Sequence, residues 1–153
     1  MLIVGDIAPV VTLAFADGTA EPLSAWAGRK LVLYFYPRDD TPGCTTEAQD
    51  FSRLLPEFRA ADTDVVGVSR DTAASHDKFT AKYGLGHRLA VDDGAVSEAF
   101  GTWVEKSMYG RKYMGLARAT FLIGRDGRVA AAWPKVSVKG HADAVLKAAR
   151  ELG

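Results

Sequence analysis

The stretch Lys30-Leu31-Val32-Leu33-Tyr34-Phe35-Tyr36 limits what this chain can become. It is almost continuously apolar, holds β-branched and aromatic residues, and stops at Pro37. A short run without polar alternation suits a strand covered on both faces. Such a strand needs layers on either side, which points to an α/β architecture. The residues that follow supply one layer. Arg38-Asp39-Asp40-Thr41-Pro42-Gly43 is turn chemistry. Ala48, Phe51, Leu54, Leu55 and Phe58 then share one face at helical spacing.

The rest of the chain continues the pattern. Asp64 to Ser69 reads as a second buried strand, and a helix over 73–83 stops at Gly84, a suitable C′ residue. Val11 to Phe15 alternates like a half-buried strand, and Leu23 to Gly28 reads as a short helical turn. Leu89 to Val91 is a short strand, and Ala95 to Phe100 a short helix ended by Gly101. Ala119–Ile123 and Arg128–Trp133 form two strands around the turn Gly124-Arg125-Asp126-Gly127. An amphipathic helix from His141 to Leu152 closes the chain. A βα, βα, hairpin and final helix order predicts a thioredoxin-like α/β domain, one domain over residues 1–153, with the early strand and the 101–117 segment as additions.

Composition removes several function classes. Lys+Arg and Asp+Glu are equal at 19 each, so no overall charge bias favours nucleic acid or an anionic membrane. No apolar run approaches the ~20 residues of a membrane-spanning helix, and the N-terminus lacks the basic and apolar regions of a secretory signal. The expectation is a cytoplasmic protein. His76, His87 and His141 are too dispersed for a familiar metal-ligand spacing, so no metal and no cofactor are expected. His76 and His141 are expected on solvated helix faces, and Lys106, Arg111 and Lys112 in an exposed basic loop.

The chain has one cysteine, Cys44. Thr41 is a good N-cap residue and Pro42 fits the first helical position, so Gly43 is N2 and Cys44 is N3. The first-turn N–H groups lack intrahelical partners, and the helix dipole adds to their preference for an anion. A free cysteine titrates near 8.5, and a helix N-terminus lowers that and raises its nucleophilicity. From the residues alone, a small buried hydrophobe and a reactive thiolate are both open.

Pro37-x-x-x-Thr41-x-x-Cys44 resembles the active-site signature of peroxiredoxins. The run from Phe35 to Ala48 is similar to the bacterioferritin comigratory protein, or peroxiredoxin Q, branch. Gly5-Asp6-x-Ala8-Pro9 resembles that branch's opening, and Phe100 to Lys106 and Arg118 to Ile123 are similar to its later blocks in order. The resemblance implies a thioredoxin-like fold with N-terminal strand additions. It implies a thiol peroxidase that reduces hydrogen peroxide and organic hydroperoxides through a Cys44 sulfenic acid. It assigns Thr41 to bond the peroxide and thiolate, Pro37 to shield the thiolate from water, and Arg118 to stabilise the thiolate and position the peroxide. The N–H groups of Gly43 and Cys44 become further donors. Glu47, one turn on, orients the arginine or is an ordinary first-turn acid.

The chain departs from that branch in lacking a second cysteine. Where many members have one five residues on, this chain has Gln49. The second position that the resemblance suggests is Ser97. The implied cycle therefore uses an external thiol: thioredoxin, glutaredoxin with glutathione, or a small thiol. A monomer is expected. Two other readings stand beside it. A thioredoxin-like disulfide oxidoreductase is opposed by the absence of Cys-x-x-Cys. A non-catalytic thioredoxin-fold interaction or chaperone-like protein is kept open by Gln49 and Ser97.

Overall fold

A computed structural model describes residues 1–153. Its elements are β1 (Thr12–Phe15), β2 (Ala20–Pro22), a 3₁₀ turn (Leu23–Trp26), β3 (Lys30–Phe35), α1 (Pro42–Ala60), β4 (Thr63–Ser69), α2 (Ala73–Tyr83), β5 (Arg88–Val91), α3 (Ala95–Phe100), β6 (Trp103–Met108), β7 (Arg111–Leu116), β8 (Ala119–Ile123), β9 (Val129–Trp133) and α4 (His141–Glu151). The main sheet runs β2-β1-β5-β4-β3-β8-β9. β3, β4 and β5 are parallel; β8 and β9 on one side, and β1 and β2 on the other, are antiparallel. This is the expected mixed sheet flanked by helices.

β3 is buried at every residue, as its apolar run predicts. Its side chains divide between two cores because successive residues point to opposite faces. Val32 and Tyr34 meet Phe51, Leu55 and Phe58 of α1 and Val145 and Leu146 of α4. Leu31, Leu33 and Phe35 meet Phe121, Phe100 of α3 and Leu13 of β1. The α1 helix runs through Pro56, which removes one backbone bond without ending it. No helix is long and apolar enough to cross a membrane.

Several expectations need correction. Residues 103–116 form a two-stranded antiparallel hairpin, β6–β7, outside the main sheet. Lys106 is half-buried there, while Arg111 and Lys112 are exposed. β2 was also not anticipated, since its three residues carry no periodic signal. His76 and His141 are buried, at 1% and 6% exposure. Their helices present them to the sheet, where specific acceptors compensate the lost hydration.

Candidate active site

The end of β3 and the start of α1 bring the site together. Pro37 follows the strand and is exposed. Pro42 is the first residue of α1, which places Gly43 at N2 and Cys44 at N3. Cys44 is 1% exposed. The N–H groups of Gly43 and Cys44 have no intrahelical acceptor and point out of the helix start. Thr41 occupies the N-cap in an extended conformation, but its side chain makes no cap bond. Its hydroxyl instead donates to the Arg38 carbonyl at 2.9 Å, which corrects the expected side-chain cap.

Arg118 lies just before β8, antiparallel to β3, so it arrives beside the start of α1 from far along the chain. Its Nη2 donates to Cys44 Sγ at 3.3 Å, and its Nη1 donates to Glu47 Oε1 at 2.9 Å. Glu47 is buried, and its Oε2 has no hydrogen-bond partner. Burial pushes the Glu47 carboxyl up to about 7 in spite of Arg118. Arg118 itself is held above its usual range: burial opposes the charge, but Cys44 and Glu47 outweigh it. A Cβ on Gly43 would come within 3.2 Å of Arg118 Nη2, so a residue without a side chain lets the guanidinium in.

The loop between β3 and α1 is fastened by contacts that the sequence reading did not anticipate. Asp39 accepts bonds from Tyr36 Oη at 2.6 Å, Ser75 Oγ at 2.8 Å and His76 Nδ1 at 2.7 Å. His76 Nε2 faces the Ala90 carbonyl at 2.9 Å. Both ring nitrogens meet acceptors, so both carry protons and His76 is an imidazolium. Burial works against that charge, but Asp39 holds the His76 pKa above the ordinary value. Asp39, Asp71 and His76 gather ligand-type atoms within 4.8 Å, yet His76 offers a metal no lone pair in this arrangement. Lys82 and Tyr83 of α2 bond Asp40 in the same loop. The bonds from α2 to Asp39 and Asp40 span 36 to 43 residues of sequence, and no local motif announces them.

His141 lies beneath the site, with Nε2 2.8 Å from Thr120 Oγ1. Burial, and then Arg118, hold it down to about 4. An apolar hollow of about 290 Å³ between Val10, Trp26, Leu31 and Ile123 lies at the other end of β3 and takes no part here.

Gln49 is exposed on α1. Ser97 is fully buried and accepts from Arg70 Nη2 at 2.9 Å. It sits on α3, whose Val96 and Phe100 belong to the core on the opposite face of the sheet from Cys44. A residue at 97 therefore cannot approach Cys44 without large rearrangement.

Comparison with known proteins places this geometry. The AhpC/TSA family model matches residues 4–132. The chain is 53% identical over 137 residues to the peroxiredoxin Bcp of Xanthomonas campestris, covering 89% of this chain and 86% of that protein. It is 42% identical to the peroxiredoxin Bcp of Bacillus subtilis, covering 97% and 96%. A Xanthomonas campestris peroxiredoxin Q structure superposes with a TM-score of 0.88 at 51% identity, covering 92% of this chain and 90% of that one. Two further structures of that protein are cysteine-to-serine mutants at different positions. With one cysteine and this sequence and fold, the chain belongs to the AhpC/TSA family, as a peroxiredoxin of the Bcp and PrxQ type that has the cysteine for a one-cysteine thiol peroxidase and none for an internal disulfide.

Proposed function

We propose that Cys44 is the residue that attacks the peroxide, with Arg118, Thr41, Gly43, Pro37 and Glu47 forming its site. One observation carries this reading: the Arg118 guanidinium spans Cys44 Sγ and Glu47 Oε1 at the N-terminus of α1. Arg118 stays charged across the working pH range and donates in a fixed fork. Glu47 holds that fork so that one edge faces the sulfur.

The chemistry follows from the charge flow. The thiolate attacks one peroxide oxygen, the O–O bond breaks, and its electron pair leaves on the second oxygen. Negative charge moves from sulfur to that oxygen. Arg118 and the free N–H groups of Gly43 and Cys44 are fixed donors around the path, and such donors stabilise the transition state most where water is excluded. The leaving oxygen takes a proton to give water or an alcohol. Cys44 becomes a sulfenic acid. An external thiol condenses with it and releases water, and a second thiol frees Cys44 as a disulfide departs. Thioredoxin, or glutaredoxin with glutathione, fits the role of that thiol source. In this reading the protein works as a cytoplasmic monomer. Pro37, exposed at the strand end, would shield the sulfur once a reactant is seated.

Stopped-flow oxidation of the reduced protein by hydrogen peroxide, with sulfenate trapping, tests the assignment. Fast single-turnover oxidation that disappears in Cys44→Ser is the expected result. Oxidation at the rate of an ordinary free thiol would sink it.

A further inference from the structure

The β6–β7 hairpin leads straight into Arg118, and Ala117 N–H bonds the Thr102 carbonyl at 2.8 Å to tie its base shut. The register pairs Lys106 with Tyr113, Val104 with Gly115 and Met108 with Arg111. Alternation puts these six residues on one face of the hairpin. The Lys106 stem lies over Gly115, where a Cβ would meet Lys106 Cδ at 3.3 Å and Tyr113 Cε2 at 3.4 Å. Gly115 thus leaves a channel for the lysine between Tyr113 and the strand that runs on to Arg118.

Lys106 is half-buried and has no carboxylate or carbonyl partner. The other lysine of the hairpin, Lys112, points to the opposite face, is 76% exposed and pairs with Glu105. Burial pulls the Lys106 pKa down, Arg118 pulls it further, and Cys44 pulls it up, so its ammonium lies within the field of both site residues. An unpaired cation held beside a second cation is unfavourable without an anion between or near them. Arg118 takes Cys44 Sγ and Glu47 Oε1, while the buried Glu47 Oε2 has no partner, so neither group accepts from Lys106. No acceptor of the chain itself meets the Lys106 ammonium. Met108 and Tyr113, exposed at 56% and 43%, flank it with apolar surface.

We propose that Lys106 is a specificity-determining residue that binds a carboxylate on the reactant approaching Cys44. This rests on the reading of Cys44 as the reacting residue. The carboxylate belongs either to an acid hydroperoxide in the oxidative half of the cycle or to an acidic thiol in the reductive half. The Lys106 ammonium draws either one in by charge and seats its apolar part against Tyr113 and Met108.

The test compares matched neutral and charged reactants by stopped flow. For oxidation, the pair is cumene hydroperoxide and its ring-carboxylated analogue. For reduction of the Cys44 sulfenic acid, the pair is 2-mercaptoethanol and mercaptoacetate. The acid-to-neutral rate ratio is the readout. It is expected to fall about tenfold in Lys106→Met in at least one arm, to persist in Lys106→Arg and Lys112→Met, and to shrink in the parent protein as salt is raised. The arm that responds identifies the anionic reactant. Unchanged ratios in both arms of Lys106→Met overturn the proposal. So does an equal loss with neutral and charged reactants, which would make Lys106 a support for Cys44 itself. Failure of the parent protein to react rapidly with any peroxide would instead remove the underlying reading of Cys44.

Discussion

At Gly43 the requirements of folding and of chemistry separate. The position is N2 of α1, where an alanine costs nothing as a helix former. Its Cβ, however, would press on Arg118 Nη2 at 3.2 Å, and that nitrogen is also bonded to Cys44 while its neighbour holds Glu47. Gly43→Ala is expected to leave the thermal midpoint unchanged or slightly raised. Peroxide oxidation should slow on the order of tenfold, because small displacements of a positioned donor are costly. Calorimetry beside stopped flow checks both halves. Arg118→Ala removes the donor outright and should slow oxidation by about 100-fold or more. It also leaves Glu47 buried with neither oxygen paired, so a loss of stability is expected with it.

Among the elements, α1 carries Cys44 and α4 braces it from behind. α4 is anchored by Lys30, which is buried and donates to the Ala149 carbonyl at 2.6 Å and the Leu152 carbonyl at 2.7 Å. A cation at a helix C-terminus satisfies orphan carbonyls and opposes the helix dipole. Lys30→Met should lower stability by about 2 kcal/mol in urea titration, with early loss of amide protection across α4. α1 has a different property. Residues five apart on a helix are separated by about 7.5 Å of rise, while a disulfide needs Cα atoms within about 7 Å. A chain with a cysteine pair at that spacing must unwind the helix to close it. With Gln49 in that position, α1 has no such demand. Slow amide exchange across 44–50 in the reduced protein is the expected outcome, and rapid exchange there would contradict it.

For the whole molecule, buried titratable groups set how stability varies with pH. His87 is buried between Tyr34 Oη at 2.6 Å and Ser52 Oγ at 2.8 Å, and burial holds it down to about 4, as it does His141. The unfolded chain binds these protons first, so each histidine removes stability as pH falls from about 6.5 towards 4. Glu47 acts in the opposite sense. Its folded pKa is above its unfolded one, so its contribution grows as pH falls from about 7 towards 4.5. His76, with a raised pKa, contributes stability that is present below about 6.5 and lost as pH rises through its folded value. Between pH 7.5 and 5 the two depressed histidines should each remove about 2 kcal/mol, with Glu47 offsetting a similar amount once. Glu47→Gln deletes that offset. Its stability is expected to fall about 2 kcal/mol further than the parent's over the same interval, measured by urea unfolding at each pH.

Local pattern determined much of this protein. The apolar run of β3, the turn residues after Pro37, the helix start at Pro42 and the glycine stop at Gly84 all act through neighbours in sequence, and each element stands where that chemistry puts it. The position of Cys44 at N3 follows from the same local rules, and the matching sequence blocks tie it to a family. Tertiary structure decided the rest. The His76–Asp39 pair, the Tyr34–His87 bond and the burial of His141 depend on partners far along the chain, and a lone histidine carries no sign of them. The β6–β7 hairpin follows the same logic: its exposed face obeys no apolar alternation, so its register comes only from pairing and from its closure at Thr102 and Ala117. The guanidinium of Arg118 reaches Cys44 because β8 runs antiparallel beside β3, which brings residues 74 apart in sequence to hydrogen-bond distance. Sequence placed a sulfur at a helix start. Only the folded sheet could set a cation against it, because that contact is a property of strand order rather than of any local run of residues.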